Sequence, residues 1–157
     1  MSQKTHAARL LDTLSIPYDL IAYDVDDHDL SAGTVAKKIG LPVEQVFKTL
    51  CLRGERHGLC FAVVPGSGRV DLKAVARVRG ERKVEPVAVK ELLGLTGSVR
   101  GGVTALAPKK VLPVLVDEWI EVYDRVSVSA GKRGLQIVLK PADYVSAAGA
   151  IVVPIQA

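Results

Sequence analysis

Two β-rich runs, residues 46–53 and 59–64, stand on either side of the five residues GERHG. A parallel return needs a crossover of a dozen residues or more, so these runs must pair antiparallel as a hairpin. Strict βαβ alternation is thereby excluded. Further extended runs are expected at 18–23, 111–116, 125–129, 135–139 and 151–155. Between them, helical spacing or capping signals predict helices over 4–14, 34–39, 72–79, 87–93 and 142–148. Gly40, Gly80 and Gly94 are read as stops, and Asp71 as an N-cap. Residues 96–108 carry three glycines and little periodicity, which reads as a functional loop or a pair of short strands. Six or seven strands with four or five short helices make an α+β domain with a mixed, mostly antiparallel sheet.

A chain of 157 residues with 48% hydrophobic content is long enough for one domain, residues 1–157, with its own core. No apolar run approaches the roughly 20 residues of a membrane helix, and MSQKTHAARLL lacks the apolar centre of a secretion signal, so a cytoplasmic location is expected. The net charge of +4 favours an anionic partner, although a solvated charged face explains it equally well. Cys51 and Cys60 have no second CxxC or nearby histidine pair, which leaves them as buried thiols and predicts no metal site. His6, His28 and His57 have no evident triad partner, the acidic surroundings of His28 read as a solvated loop, and Trp119 reads as a packing residue.

Three segments could carry chemistry. Strand alternation puts Lys48 on one face with Val46, Leu50 and Leu52, an odd place for an amine. It either snorkels to water or lines a pocket and meets a ligand oxygen. In Ser127–Gly134 (SVSAGKRG), glycines and two cations suit an anion-binding nest or a plain exposed turn. It is not a Walker loop, because Val126 stands where the first glycine would be and Arg133 follows the lysine. The Gly101-Gly102 pair either offers N–H donors to an oxyanion or makes a tight turn.

Taken together, VFKTL at 46–50, VDLKAVAR at 70–77, GGVTAL at 101–106 with PKKVLPVLVD at 108–117, and VSAGKRGLQIVL at 128–139 resemble the YbaK/EbsC family in order and spacing. The resemblance runs over essentially the whole chain. It implies a barrel-like mixed sheet with flanking helices and a free-standing aminoacyl-tRNA deacylase related to the editing domain of prolyl-tRNA synthetases. By the same resemblance, Lys48 is the catalytic pocket lysine. Tyr23, Ser31, Thr49, Gly101, Gly102, Ser129, Gly131 and Gln136 are expected to shape or bind the substrate.

The chemistry so implied is hydrolysis of an already activated ester, most directly of Cys-tRNA(Pro), with no metal or cofactor. Lys48 and the amides near Gly101 and Gly102 would hold the carbonyl or its oxyanion while the substrate's own thiol attacks. Lys109, Lys132 and Arg133 are expected to contact the tRNA, the principal partner, with prolyl-tRNA synthetase as a candidate second partner and neither DNA nor membrane expected. Ser31-Ala32 stand where members usually carry an aromatic residue and a glycine, and Gln136 where many carry an acid. These departures leave alanine or another small residue as an alternative substrate, and a silent tRNA- or synthetase-binding module as an alternative function.

Overall fold

The computed structural model describes residues 4–157. In chain order its elements are α1 (His6–Thr13), β1 (Asp19–Ala22), α2 (Ala32–Ile39), β2 (Phe47–Gly54), β3 (Gly58–Pro65), α3 (Leu72–Arg79), β4 (Val84–Pro86), α4 (Leu92–Thr96), β5 (Val114–Asp117), β6 (Val126–Ser129), β7 (Leu135–Leu139), α5 (Pro141–Ala148) and β8 (Ala150–Val153). The expected hairpin forms between β2 and β3, with Phe47 opposite Pro65 and Gly54 opposite Gly58. Gly58 takes φ +75° at the turn, a conformation that glycine adopts without strain.

The strands form two sheets, ordered β1-β7-β6 and β4-β2-β3-β5-β8. β3–β5 and β5–β8 are parallel; every other strand pair is antiparallel. A parallel bridge from Val46 to Ser127 joins the sheets at the start of β2. Among the described residues β1 and β8 do not pair, so the mixed α+β expectation is met while the strand pairing stays short of a closed barrel.

Alternation along β2 and β3 divides the interior. Phe47, Cys51, Phe61 and Val63 face a main core with α1, β6, β7 and Tyr144 of α5, whereas Leu52, Cys60, Ala62 and Val64 face a second core with α3. The two cysteines therefore lie on opposite faces of the sheet, buried and free. A small third cluster, Val35, Ala36 and Val46, seats α2 against the bridge.

Several boundaries differ from expectation for local reasons. β4 is only three residues long and ends in Pro86, so it leaves no periodic signal. The helix expected to stop at Gly94 runs through it to Thr96 and stops at Gly97, which takes φ +81°. β5 begins after Pro113 instead of at Val111, whose side chain is 87% exposed. Trp119, expected to pack, is 52% exposed in a 3₁₀ turn.

Candidate functional site

The register of β2 creates a gap in the sheet. The Gly66 N–H donates to the Val46 carbonyl at 2.7 Å, so even-numbered residues of β2 direct their peptide groups at β3. Odd-numbered residues direct theirs at the opposite edge, where the Val87 N–H reaches the Cys51 carbonyl at 3.1 Å. That edge is covered at one end by the bridge to Ser127 and at the other by β4, which pairs from Leu52 onward. Between them, among the described residues, the peptide edge of Thr49 has no strand beside it. It opens on a cleft of about 700 Å³ lined by residues 46–51, by 28–33 and Val35 around the start of α2, by Pro86, Val87, Val89 and Leu92, and by Gly66, Arg100, Gly101, Val103, Ser129 and Gln136.

Lys48 pairs with Val64, which puts it on the second-core face. It also lines the cleft, whose wall there includes Gly66 and Ala32. A Cβ on Gly66 would lie 2.4 Å from that of Ala32 and 2.6 Å from the Val46 carbonyl oxygen, so only glycine lets the post-β3 loop pass under α2. The Lys48 amine is half-buried and forms no ion pair or hydrogen bond among the described residues. Burial, and then repulsion from Arg69, lower its pKa from the ordinary 10.5. A desolvated cation without a counter-anion is prepared for an oxygen carrying negative charge.

One wall is held by a capping network. Ser31 is the N-cap of α2: its oxygen accepts from the Thr34 N–H at 3.3 Å and its hydroxyl donates to Asp29 at 2.7 Å. The Thr34 hydroxyl also donates to Asp29, and these contacts, Thr34 first, hold the Asp29 carboxyl down at about 2. The acidic loop before α2 is thus an organised cap and not merely a solvated stretch.

The opposite wall joins the 97–108 loop to the turn after β6. Ser129 donates to the Gly102 carbonyl, Ser98 to the Gly131 carbonyl, and the Arg133 Nε to the Arg100 carbonyl at 2.7 Å. Ser129 and Gln136 are register partners in β6 and β7. The Gln136 Oε1 accepts from the Ser127 hydroxyl at 2.6 Å, and Gln136 is 5% exposed where it lines the cleft. Cys51 also lines the cleft, but burial, followed by Cys60, pushes its thiol up to about 11, so it stays protonated near neutral pH and is a poor nucleophile.

Of the residues expected at the site, the fold gathers Lys48, Thr49, Ser31, Gly101, Ser129 and Gln136 around this cleft. Three others lie elsewhere. Tyr23 packs with the α2 cluster, behind the wall that α2 forms. Gly102 is buried and its N–H donates to the Val99 carbonyl at 2.9 Å, so its amide is already engaged, and of the pair Gly101 lines the cleft. Gly131 lines a second cavity together with Lys109 and Lys132. Arg133, expected to contact the tRNA and not to line the pocket, is tied to Arg100 and, at 3.5 Å, to Asp27. The expectations missed Arg69, Arg100 and the peptide edge of Thr49. The first two are solitary arginines in glycine-rich loops, and the last is a pairing vacancy that no residue type announces.

Comparison with known proteins bears on the family and the fold. A family model described as an aminoacyl-tRNA editing domain matches residues 29–147. The chain is 39% identical over 139 residues to "Putative Cys-tRNA(Pro)/Cys-tRNA(Cys) deacylase EbsC" of Enterococcus faecalis, covering 88% of this chain and 85% of that protein. It is 28% identical over 121 residues to the uncharacterized protein YwhH of Bacillus subtilis, covering 75% and 76%. Among solved structures, hypothetical protein APE2540 superposes with a TM-score of 0.88 at 20% identity, over 98% of this chain and 100% of the other. A structure described as "a putative trans-editing enzyme for prolyl tRNA synthetase" superposes with a TM-score of 0.82 at 24% identity, over 99% of both chains. At these identities the structural likeness is one of fold.

Proposed function

The chain belongs to the aminoacyl-tRNA editing domain family, and from that premise we propose that it acts as one editing unit, in the cytoplasm, hydrolysing the ester that joins a wrong amino acid to tRNA. Cysteine on proline tRNA is the first candidate substrate, after the 39% identical relative. Prolyl-tRNA synthetase is a candidate partner that would release such a product.

The single observation that carries this reading is Lys48, a half-buried ammonium without an acidic partner among the described residues, on a cleft beside the Thr49 peptide edge. An aminoacyl ester needs its carbonyl polarised and its main chain held. Lys48 and the Gly101 N–H supply positive charge to the carbonyl oxygen, and the N–H and C=O of Thr49 can receive the amino acid's own polar atoms. With a cysteinyl ester, the substrate sulfur attacks the carbonyl carbon, closing a four-atom ring of S, Cβ, Cα and C. The ribose oxygen leaves and takes up the thiol proton, and water then opens the cyclic thioester. No protein nucleophile is consumed, consistent with a Ser129 hydroxyl already bonded to Gly102.

The test is a panel of tRNAs charged with cysteine, alanine and proline, incubated with the protein and with Lys48→Ala. Release of cysteine from tRNA(Pro) that falls at least about 10²-fold in the variant is expected, the order lost with one oxyanion-stabilising donor. Release of alanine without cysteine would change the substrate, and an unaffected Lys48→Ala would overturn the mechanism.

A further inference from the structure

We propose that a second cavity, on the far side of the wall formed by the 97–108 loop and the turn after β6, binds backbone phosphates of the tRNA. This rests on the editing function proposed above. The cavity, of about 770 Å³, is lined by Lys4, His6 and Arg9 of the α1 segment, by Lys109, and by Lys132. Among the described residues no aspartate or glutamate lines it. Lys4 is ion-paired with Asp12 at 2.6 Å, and Lys109 donates to the Gly94 carbonyl, but Arg9 and Lys132 have no acidic partner among the described residues. The α1 residues carry the argument beyond the turn itself, because they come from the other end of the chain and bring two further cations to one concavity.

Position supports a single long ligand. Gly101 and Ser129 line the cleft, whereas Ser98, Gly131 and Lys132 line the cavity, and the Ser129–Gly102 and Ser98–Gly131 hydrogen bonds run through the wall between. A polyanion whose aminoacyl end occupies the cleft therefore has only this wall to cross before meeting the cationic cavity. Its cations, Lys4, Arg9, Lys109 and Lys132, with no carboxylate among the described lining residues, favour an anionic partner over an apolar one. Phosphodiesters match exposed cations of this kind, and their contacts make binding salt-dependent.

The experiment measures binding of uncharged tRNA across a salt series for the full chain, Arg9→Gln, and Arg9→Gln/Lys132→Gln. Each removed charge is expected to weaken binding about three- to tenfold and to make the log–log salt slope shallower by roughly 0.7 to 0.9. Both side chains are exposed, and a matched thermal melt checks that the fold is kept. Arg9→Gln is also expected to hydrolyse a short cysteinyl-adenosine ester, which fills only the cleft, at the parental rate. An unchanged tRNA affinity and salt slope in the double variant overturns the proposal. So does inorganic phosphate contacting Arg9 and Lys132 without competing with tRNA, which would make this a small-anion site. If the parent cleaves neither charged tRNA nor ester, the editing function falls, while the tRNA-binding arm still decides the cavity.

Discussion

Ser129 donates its hydroxyl to the Gly102 carbonyl at 2.9 Å while its oxygen accepts the Gly131 N–H at 3.1 Å. The residue is a clip between the 97–108 loop and the turn after β6. Ser129→Ala leaves two polar backbone groups unpartnered, a cost of about 1–3 kcal/mol in stability. Activity should fall by no more than about 10²-fold, as expected for misplaced geometry. A loss comparable with complete inactivation, measured by kcat on a charged tRNA, would instead mark Ser129 as the nucleophile.

Gly102→Ala attacks the same joint from the other side. A Cβ there would stand 2.9 Å from Lys132 Cα and 3.0 Å from Arg133 N, both backbone atoms that cannot turn aside. The loop must shift away from the turn, taking Gly101 with it. Activity should drop on the order of 10²-fold with a smaller change in tRNA affinity. A crystal structure of the variant with an unmoved loop would contradict this.

The pH profile should carry the mark of Lys48. Its pKa is lowered by burial first and by Arg69 second, so the catalytically useful ammonium is lost as pH rises through a value below the ordinary 10.5. The alkaline limb of kcat/KM should therefore fall below the usual lysine range and move upward in Arg69→Gln. Stability has the opposite slope. Between the folded and unfolded pKa values the unfolded chain binds more protons, so this group makes stability rise with pH across that window. Lys48→Met should accordingly abolish deacylation while leaving Tm unchanged or higher.

Cys51→Ala should retain deacylation within about threefold and cost about 1 kcal/mol of stability, the scale of a small buried group. A thiol held up at about 11 and buried should also resist alkylation at neutral pH. Rapid inactivation by a thiol reagent, prevented in Cys51→Ala, would reverse the assignment.

Tyr144 is fully buried in α5, and its hydroxyl lacks a hydrogen bond of acceptable geometry, with the Thr49 side chain as its polar neighbour. Burial raises its pKa far above the ordinary phenol range. Because the group is desolvated without a partner, Tyr144→Phe should be neutral or stabilising by about 1 kcal/mol in chemical denaturation. A clear destabilisation would mean that the Thr49 contact is a working hydrogen bond.

The β2–β3 hairpin, the caps at Asp71 and Gly80 and the stop at Gly40 were legible because each depends on a few adjacent residues and their backbone preferences. The resemblance motifs likewise pointed to Lys48, Gly101, Ser129 and Gln136, which the fold brings to one cleft. Tyr23, Gly102 and Gly131 lie away from the cleft for one shared reason: motif membership does not say which side of a wall a residue faces.

By itself the sequence determined that this chain makes an antiparallel hairpin inside a mixed α+β domain, with an amine placed against an apolar strand face. Only the tertiary structure decided that β4 and the Ser127 bridge cover the ends of one edge of β2 and leave Thr49 bare between them, and that α1 meets Lys132 around a second cavity. Helix caps and hairpin turns are settled by interactions a few residues long. A gap in a sheet edge and a gathering of cations arise from contacts between segments far apart in sequence, which no local preference encodes.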